Sequence, residues 1–372
     1  MKILKILGGG LIALVLAGCG FYVWAGSASS AVMAKHYTVH RVELPSPMPL
    51  TTAEVDALRA EKLAALVSAA PVDGAAPADG TASPTAAGSP GGAAYFGDAA
   101  PGDAAPGDPL AGVDLDAIAK ERAIARGKHI VEARFVCVEC HGKDFGGGVM
   151  VDDPMVGHLL GPNLTSGKGS VTANFTMADW DGVVRHGVKP DGMPVIMPSG
   201  DFVGMSDQEL SDIVAYVRSV PPVDKAVDPP TLGPLLKVMV ATGKVTIGAD
   251  VILAHPVEHP AAPPVSEATV EFGKHLSQVC TGCHRVDLNG GPIAGAPPDW
   301  APARNLTPGD DGLKGWTYDQ FQTAVRTSTR PDGTKLKPPM DSMAPYAQKM
   351  SEVEMQALFM YLQSLPAKAT GT

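Results

Sequence analysis

Cys137-Val-Glu-Cys140-His141 and Cys280-Thr-Gly-Cys283-His284 are the residues in this chain whose types and spacing point to chemistry. Two thiols three positions apart, with an imidazole directly after, suit the covalent attachment of a c-type haem. The cysteines form thioethers with the porphyrin vinyl groups, and the histidine that follows is placed over the iron. The two motifs predict two haem c groups, held by Cys137, Cys140, Cys280 and Cys283, with His141 and His284 as axial iron ligands. A bare C-x-x-C would also suit a redox dithiol or a zinc site. Neither explains the adjacent histidine in both copies, and no further cysteine pair completes a zinc tetrad.

The sixth iron position decides what such a centre does, because a second strong ligand closes it for electron transfer and an open position admits peroxide or oxygen. In the first copy Met197, followed by Pro198, lies between the haem motif and the closing helix; Met193 and Met205 are rivals, with Met205 the better core residue. In the second copy Met343 stands seven residues before Met350, close to the eight that separate Met197 from Met205. Met340 is the alternative. Each ligand histidine needs an acceptor for its other ring nitrogen. Gly161-Pro162-Asn163-Leu164 offers the Pro162 carbonyl, and Ala303-Arg304-Asn305-Leu306 stands at the equivalent place. Arg185 and Arg326 are either partners for haem propionates or solvated helix arginines. His129 and His275 recur at equivalent positions and read as helix-end or surface residues, with a bis-histidine haem site as the alternative. His36, His40, His158, His186, His255 and His259 have neither ligand-like spacing nor a repeat partner.

These residues are positioned by a duplicated frame. Gly127-Lys-His129 matches Gly273-Lys-His275, Asn163-Leu-Thr165 matches Asn305-Leu-Thr307, and Val184-Arg185 matches Val325-Arg326, with an offset that stays between 141 and 146. Each copy closes on a helix opened by a capping box, Ser206-x-x-Glu209 or Ser351-x-x-Glu354. Leu210, Ile213, Val214 and Val217 match Met355, Leu358, Phe359 and Leu362 at i, i+3, i+4, i+7. Gly127 and Gly273 suit a close approach of Tyr216 and Tyr361, or simply end their helices.

The rest is anchor and spacer. Lys2 and Lys5 precede an uncharged run whose apolar centre, Ile6 to Ala25, forms a helix of roughly 30 Å, the thickness of a hydrocarbon core. Basic residues before it place the body outside the cytoplasm. Leu16-Ala-Gly-Cys19 is also the pattern that precedes a lipid-modified cysteine, so lipidation at Cys19 is the alternative anchor. Thr51-x-x-Glu54 opens a short helix. The following Ala/Pro/Gly/Asp-rich stretch has almost nothing to bury and is expected to be disordered. The longer span from Leu63 to Ala119 carries seven aspartates and no Lys or Arg, so most of the net charge of −10 belongs to that span. No basic stripe points to nucleic acid. The expected fold is all-α: anchor 1–26, membrane-proximal segment 27–68, disordered spacer 69–113, first haem domain 114–222, connector 223–265, second haem domain 266–368.

With C-x-x-C-H, Gly-Pro-Asn-Leu, a Met loop and a closing helix carrying Tyr, the two copies resemble class I cytochrome c domains in tandem. The order Ala125-Arg-Gly-Lys-His129, Cys-x-x-Cys-His-Gly142, Asn-Leu-Thr, Arg-x-Gly, Met-Pro and Tyr-x-Arg-Ser-x-Pro-Pro, from about Asp116 to Ala367, resembles membrane-anchored multihaem cytochromes related to the cytochrome subunits of bacterial alcohol and gluconate-type dehydrogenases. The departures are Arg304 for the proline, Thr327-Ser328 for His186-Gly187, and no Pro after Met343. The resemblance implies an electron carrier or electron-transfer subunit of a respiratory chain, anchored in the inner membrane with its haem domains in the periplasm. Its partners would be a dehydrogenase, a quinol-oxidising complex or an oxidase. The rival class is a dihaem peroxidase with one open iron.

Overall fold

A computed structural model describes residues 2–69, 107–252, 255, 258–293, 296 and 300–372. Helix α1 (Lys2–Met33) continues past the expected end of the anchor. Nothing in Gly26-Ser-Ala-Ser-Ser30 breaks a helix, and Ser29 turns its hydroxyl back onto the Gly26 carbonyl. Leu14–Met33 is long and apolar enough to cross a membrane. Phe21, Tyr22, Val23 and Trp24 are exposed.

The chain forms two compact units. The smaller, Pro49–Ala119, contains α2 (Thr52–Ala69), capped as expected: the Thr51 N–H donates to Glu54 Oε2 at 2.8 Å and the Glu54 N–H to Thr51 Oγ1 at 3.3 Å. Most of the expected disordered spacer lies outside the described residues. Its last part does not: residues 107–113 form turns in which Asp108 pairs with Arg59 at 3.1 Å and Leu110 is buried.

The larger unit, Met1–Met48 and Lys120–Thr372, holds both haem motifs. In the first copy α3 (Leu115–His129) runs into a π-helical turn, Ile130–Arg134, and the haem motif forms the one-turn helix α4 (Val138–His141). Strands β1 (Gly148–Asp153) and β2 (Gly157–Gly161) follow, then α5 (Met177–Val184) and the closing helix α6 (Asp207–Ser219). In the connector, β3 (Thr231–Leu232), α7 (Pro234–Ala241) and α8 (Gly248–Val251) come in sequence. The second copy has α9 (Val270–Leu276), the haem-motif helix α10 (Thr281–His284), α11 (Tyr318–Thr327), the short α12 (Ala344–Ala347) and the closing helix α13 (Glu352–Ser364).

Helices are the main regular structure, but an antiparallel sheet in the order β1-β2-β3 corrects the all-α expectation. Its cause is local. Gly157 at φ +121° turns β1 back on β2, a conformation open to glycine, and β3 of the connector pairs with Gly157 and His158. The connector is therefore laid on the first domain. Asn163 Nδ2 donates to the carbonyls of Val223 and Lys225, and the N–H groups of Asp207 and Gln208 donate to Pro260 and Ala261. Helix α7 packs against α1.

Each haem domain has its own core. Leu210, Ile213, Val214 and Val217 of α6 meet Ile130, Val131, Phe145 and Trp180; Met355, Leu358 and Leu362 of α13 meet Leu288 and Phe321. Both opening helices cross their closing helices at glycine. A Cβ on Gly127 would stand 2.0 Å from the Asp212 carbonyl oxygen, and one on Gly273 1.9 Å from that of Ala357. Tyr216 and Tyr361 Cβ atoms lie just beyond, at 2.9 and 2.7 Å.

Candidate haem sites

The two C-x-x-C-H motifs adopt the same conformation. Cys137 caps α4 and Cys280 caps α10, so both thiols and the imidazole project from a single helical turn. His141 Nδ1 stands 3.1 Å from the Pro162 carbonyl oxygen, and His284 Nδ1 2.7 Å from that of Arg304. A main-chain acceptor does not depend on the residue that carries it, so the missing proline leaves the second contact intact. Each contact fixes the ring and leaves Nε2 as the free donor atom. Burial pushes both imidazoles down, against the raising effect of those carbonyls.

The loops that carry these carbonyls are clamped alike, except that the second amide bond goes to the Lys225 carbonyl from Asn163 and to the Asp311 carboxylate from Asn305. Asn163 and Asn305 are buried, and each accepts from the hydroxyl of the threonine two residues on at 2.8 Å. Each also donates to carbonyls beyond the closing helix, Val223 at 2.7 Å and Lys368 at 2.7 Å. Asn-Leu-Thr was legible only as a landmark. Its role is to fasten the histidine's acceptor loop to the end of the domain.

Met197 lies against the first core, and Met205 is fully buried within it. Met340 and Met343 open and close one 3-10 turn, both half-buried, and at i, i+3 they share a face. Arg185 is sealed from solvent and Arg326 is partly exposed. Arg185 is fully buried; it donates to Asp181 at 2.6 Å, to Asp207 at 2.8 Å and to the Met205 carbonyl at 3.2 Å. Arg326 donates to the Met350 carbonyl at 3.1 Å. Both arginines thus fasten the residue before each capping serine, where the methionine loop ends. Among the described residues, Arg185 Nη2, Arg326 Nε and the neighbouring Trp180 Nε1 are buried without a protein partner. Cys19 is exposed on α1.

The family described as Cytochrome c matches residues 270–366, and that described as Cytochrome C oxidase, cbb3-type, subunit III matches residues 122–217. The chain carries two cytochrome c domains. It is similar to the alcohol dehydrogenase (quinone) cytochrome c subunit of Gluconobacter oxydans, 24% identical over 68% of this chain and 57% of that protein. It is also similar to the fructose dehydrogenase cytochrome subunit of Gluconobacter japonicus, at 25% over 68% and 54%. The gluconate 2-dehydrogenase cytochrome c subunit of Pantoea cypripedii is 27% identical, over 68% and 62%. The chain therefore spans little more than half the length of these relatives.

Cytochrome c domains imply covalently bound haem c, and the residues present fit it. Burial pushes the Cys137 and Cys280 thiols up to about 12, and in both motifs the two thiols and the imidazole share one helical turn. Buried Arg and Trp nitrogens without partners are what anionic propionates would satisfy.

The two cytochrome domains also grip each other, which sequence reasoning missed. His129 of the first reaches Glu354 in the capping box of the second, at 2.9 Å. His275 of the second reaches Glu209 in the capping box of the first, at 2.8 Å. Arg134 bridges both carboxylates, at 2.5 Å to Glu354 and 3.2 Å to Glu209, while lying over the Phe272 ring. Burial alone would raise the Glu354 carboxyl, but the hydrogen bond from His129 and the charge of Arg134 hold it down, to about 2. Beside this belt, Asp201 of the first methionine loop touches Thr281 and Gly282 inside the second haem motif. Its burial there pushes the carboxyl up to about 6, against the hydrogen bonds from Thr281 and Gly282.

Proposed function

We propose that this chain is a dihaem c-type cytochrome that relays single electrons, held to the inner membrane by α1 with both cytochrome domains in the periplasm. The observation that carries the reading is the contact between the two sites: Asp201, four residues after Met197, rests on Cys280–His284. Haem c, when bound, supplies reversible one-electron exchange at iron. The protein's part is to hold His141 and His284 rigidly through Pro162 and Arg304, and to offer Met197 and Met343, or Met340, as second ligands. A thioether ligand raises the potential relative to a second histidine. Trp180, Arg185 and Arg326 would hold the haem propionates through the unpartnered nitrogens. The names of the relatives point to a dehydrogenase or quinone-linked donor, a quinol-oxidising complex among them; a terminal oxidase would be the acceptor.

The test is the chain produced with its haems attached and purified in detergent. Two haems per chain, both low-spin in the ferric state with the weak far-red band of methionine ligation, support the relay. A high-spin ferric haem that reacts with peroxide would overturn it in favour of a peroxidase-type enzyme. Mass spectrometry of the N-terminus separates an uncleaved helix from a cleaved chain lipidated at Cys19.

A further inference from the structure

Asp181, His186 and His259 bring one carboxylate oxygen and two imidazole nitrogens within 4.8 Å of one another, in a place the haem sites do not use. Asp181 and His186 are fully buried, on α5 and in the turn after it; His259 is half-buried, in the connector. The Nε2 atoms of His186 and His259 are 3.3 Å apart, and Asp181 Oδ1 is 3.8 Å from His186 Nε2. Two nitrogens bound to one tetrahedral zinc at 2.0–2.1 Å would be about 3.4 Å apart. His186 Nδ1 is buried without a partner among the described residues, where Nε2 engages His259. Burial, with His259 and Arg185 nearby and Asp181 opposing, pushes the His186 imidazole down to about 4, which leaves it neutral. The ring of His255 stands 5.6 Å from that of His186 and is the next donor at hand.

The second cytochrome domain supplies an internal comparison. At the repeat offset of 141, Arg185 has its counterpart in Arg326, but Asp181 faces Gln322 and His186 faces Thr327. A cytochrome c domain therefore folds in this same chain without the set, which marks it as an addition. Asp181 also accepts from Arg185 Nε and the Val42 N–H, but a carboxylate oxygen has two lone pairs and can serve a cation as well.

We propose that Asp181, His186 and His259 form a binding site for a divalent transition ion of the zinc type, with His255 or water in the fourth position. Two imidazoles and one carboxylate suit zinc, copper or nickel rather than magnesium or calcium. The ion's role is structural. His259 directly precedes Pro260 and Ala261, whose carbonyls accept from the first N–H groups of α6. The metal clasps the connector to the first domain at that point.

The experiment uses the full chain with both haems attached. It is equilibrated with zinc, dialysed against metal-free buffer, and analysed for zinc against haem iron. One zinc for every two irons is expected in the wild type, and loss of that zinc in His259→Ala and in His186→Thr, with iron content and haem spectrum unchanged. Zinc should also raise the unfolding temperature of the wild type and not of His259→Ala. A wild-type chain that keeps no zinc overturns the proposal, as does a His259→Ala chain that keeps as much as the wild type. The wild-type measurement decides even if a variant does not fold.

Discussion

The two cytochrome domains share what a haem site demands and differ in what surrounds it. Both have the histidine held by a main-chain carbonyl, the Asn-Leu-Thr clamp, the arginine at the end of the methionine loop, and the glycine at the helix crossing. The first is also wrapped: residues 34–48 lie along it, with Arg41 paired to Asp179 at 3.4 Å and Val42 bonded to Asp181, and the connector adds a strand and α7. The second has none of this, and its Arg326 is partly exposed where Arg185 is sealed. The shared parts are the requirements of the centre. The unshared parts join one copy to the membrane-proximal chain.

The largest effects are expected where the two domains are joined. Arg134→Ala leaves two buried carboxylates with their histidine and capping-serine partners but no guanidinium, and should cost about 3 kcal/mol in calorimetric unfolding, because a broken buried ion pair strands its partner. A loss below about 1 kcal/mol would show the belt to be incidental. The same belt sets an acid limit. Glu354 is depressed from 4.5 to about 2, so its contribution is complete above pH 4.5 and is lost as pH falls through about 2. The shift corresponds to roughly 3 kcal/mol. Glu354→Gln should flatten stability over that window.

Next come the crossings. Gly127→Ala and Gly273→Ala push a methyl into backbone at 2.0 and 1.9 Å and should each cost about 1–3 kcal/mol. Thermal melts followed at the haem band should show the two variants equally affected, since the geometry is the same. A smaller difference lies after the haem motifs. Gly142 has φ 78°, ψ 158°, and Arg285 occupies the same region at φ 70°, ψ 164°, which only glycine adopts freely. Arg285→Gly should therefore stabilise the second domain by about 1 kcal/mol, and Gly142→Ala should destabilise the first by a similar amount. The smallest structural change separates the two methionines of the 3-10 turn. Met343→Ala is expected to remove half of the far-red band and Met340→Ala to leave it; the reverse result assigns the ligand to Met340.

Much of this was legible in the sequence because duplication provides a control. The haem motifs, capping boxes and apolar stripes each appear twice, so local physics repeats itself. The sheet was not legible: Gly-Val-Met-Val-Asp-Asp carries no alternation, and its pairing depends on a glycine turn and a strand more than 70 residues on. His129 and His275 were visible as equivalents, yet equivalence does not say that each reaches the other's Glu354 or Glu209. That requires two domains packed face to face. For Arg185 and Arg326 the sequence left propionate partner and solvated helix arginine open, and their shared bond to the Met205 or Met350 carbonyl was not legible because a main-chain acceptor leaves no mark in side-chain patterns.

The central claim is that the two haem centres form one relay, and pulsed reduction of the purified chain tests it most directly. A reductant pulse too small to fill both centres should be followed by redistribution of the electron between them, at a rate independent of protein concentration and slowed in Arg134→Ala. Redistribution whose rate rises in proportion to protein concentration would mean that electrons pass only between molecules, and would contradict the account.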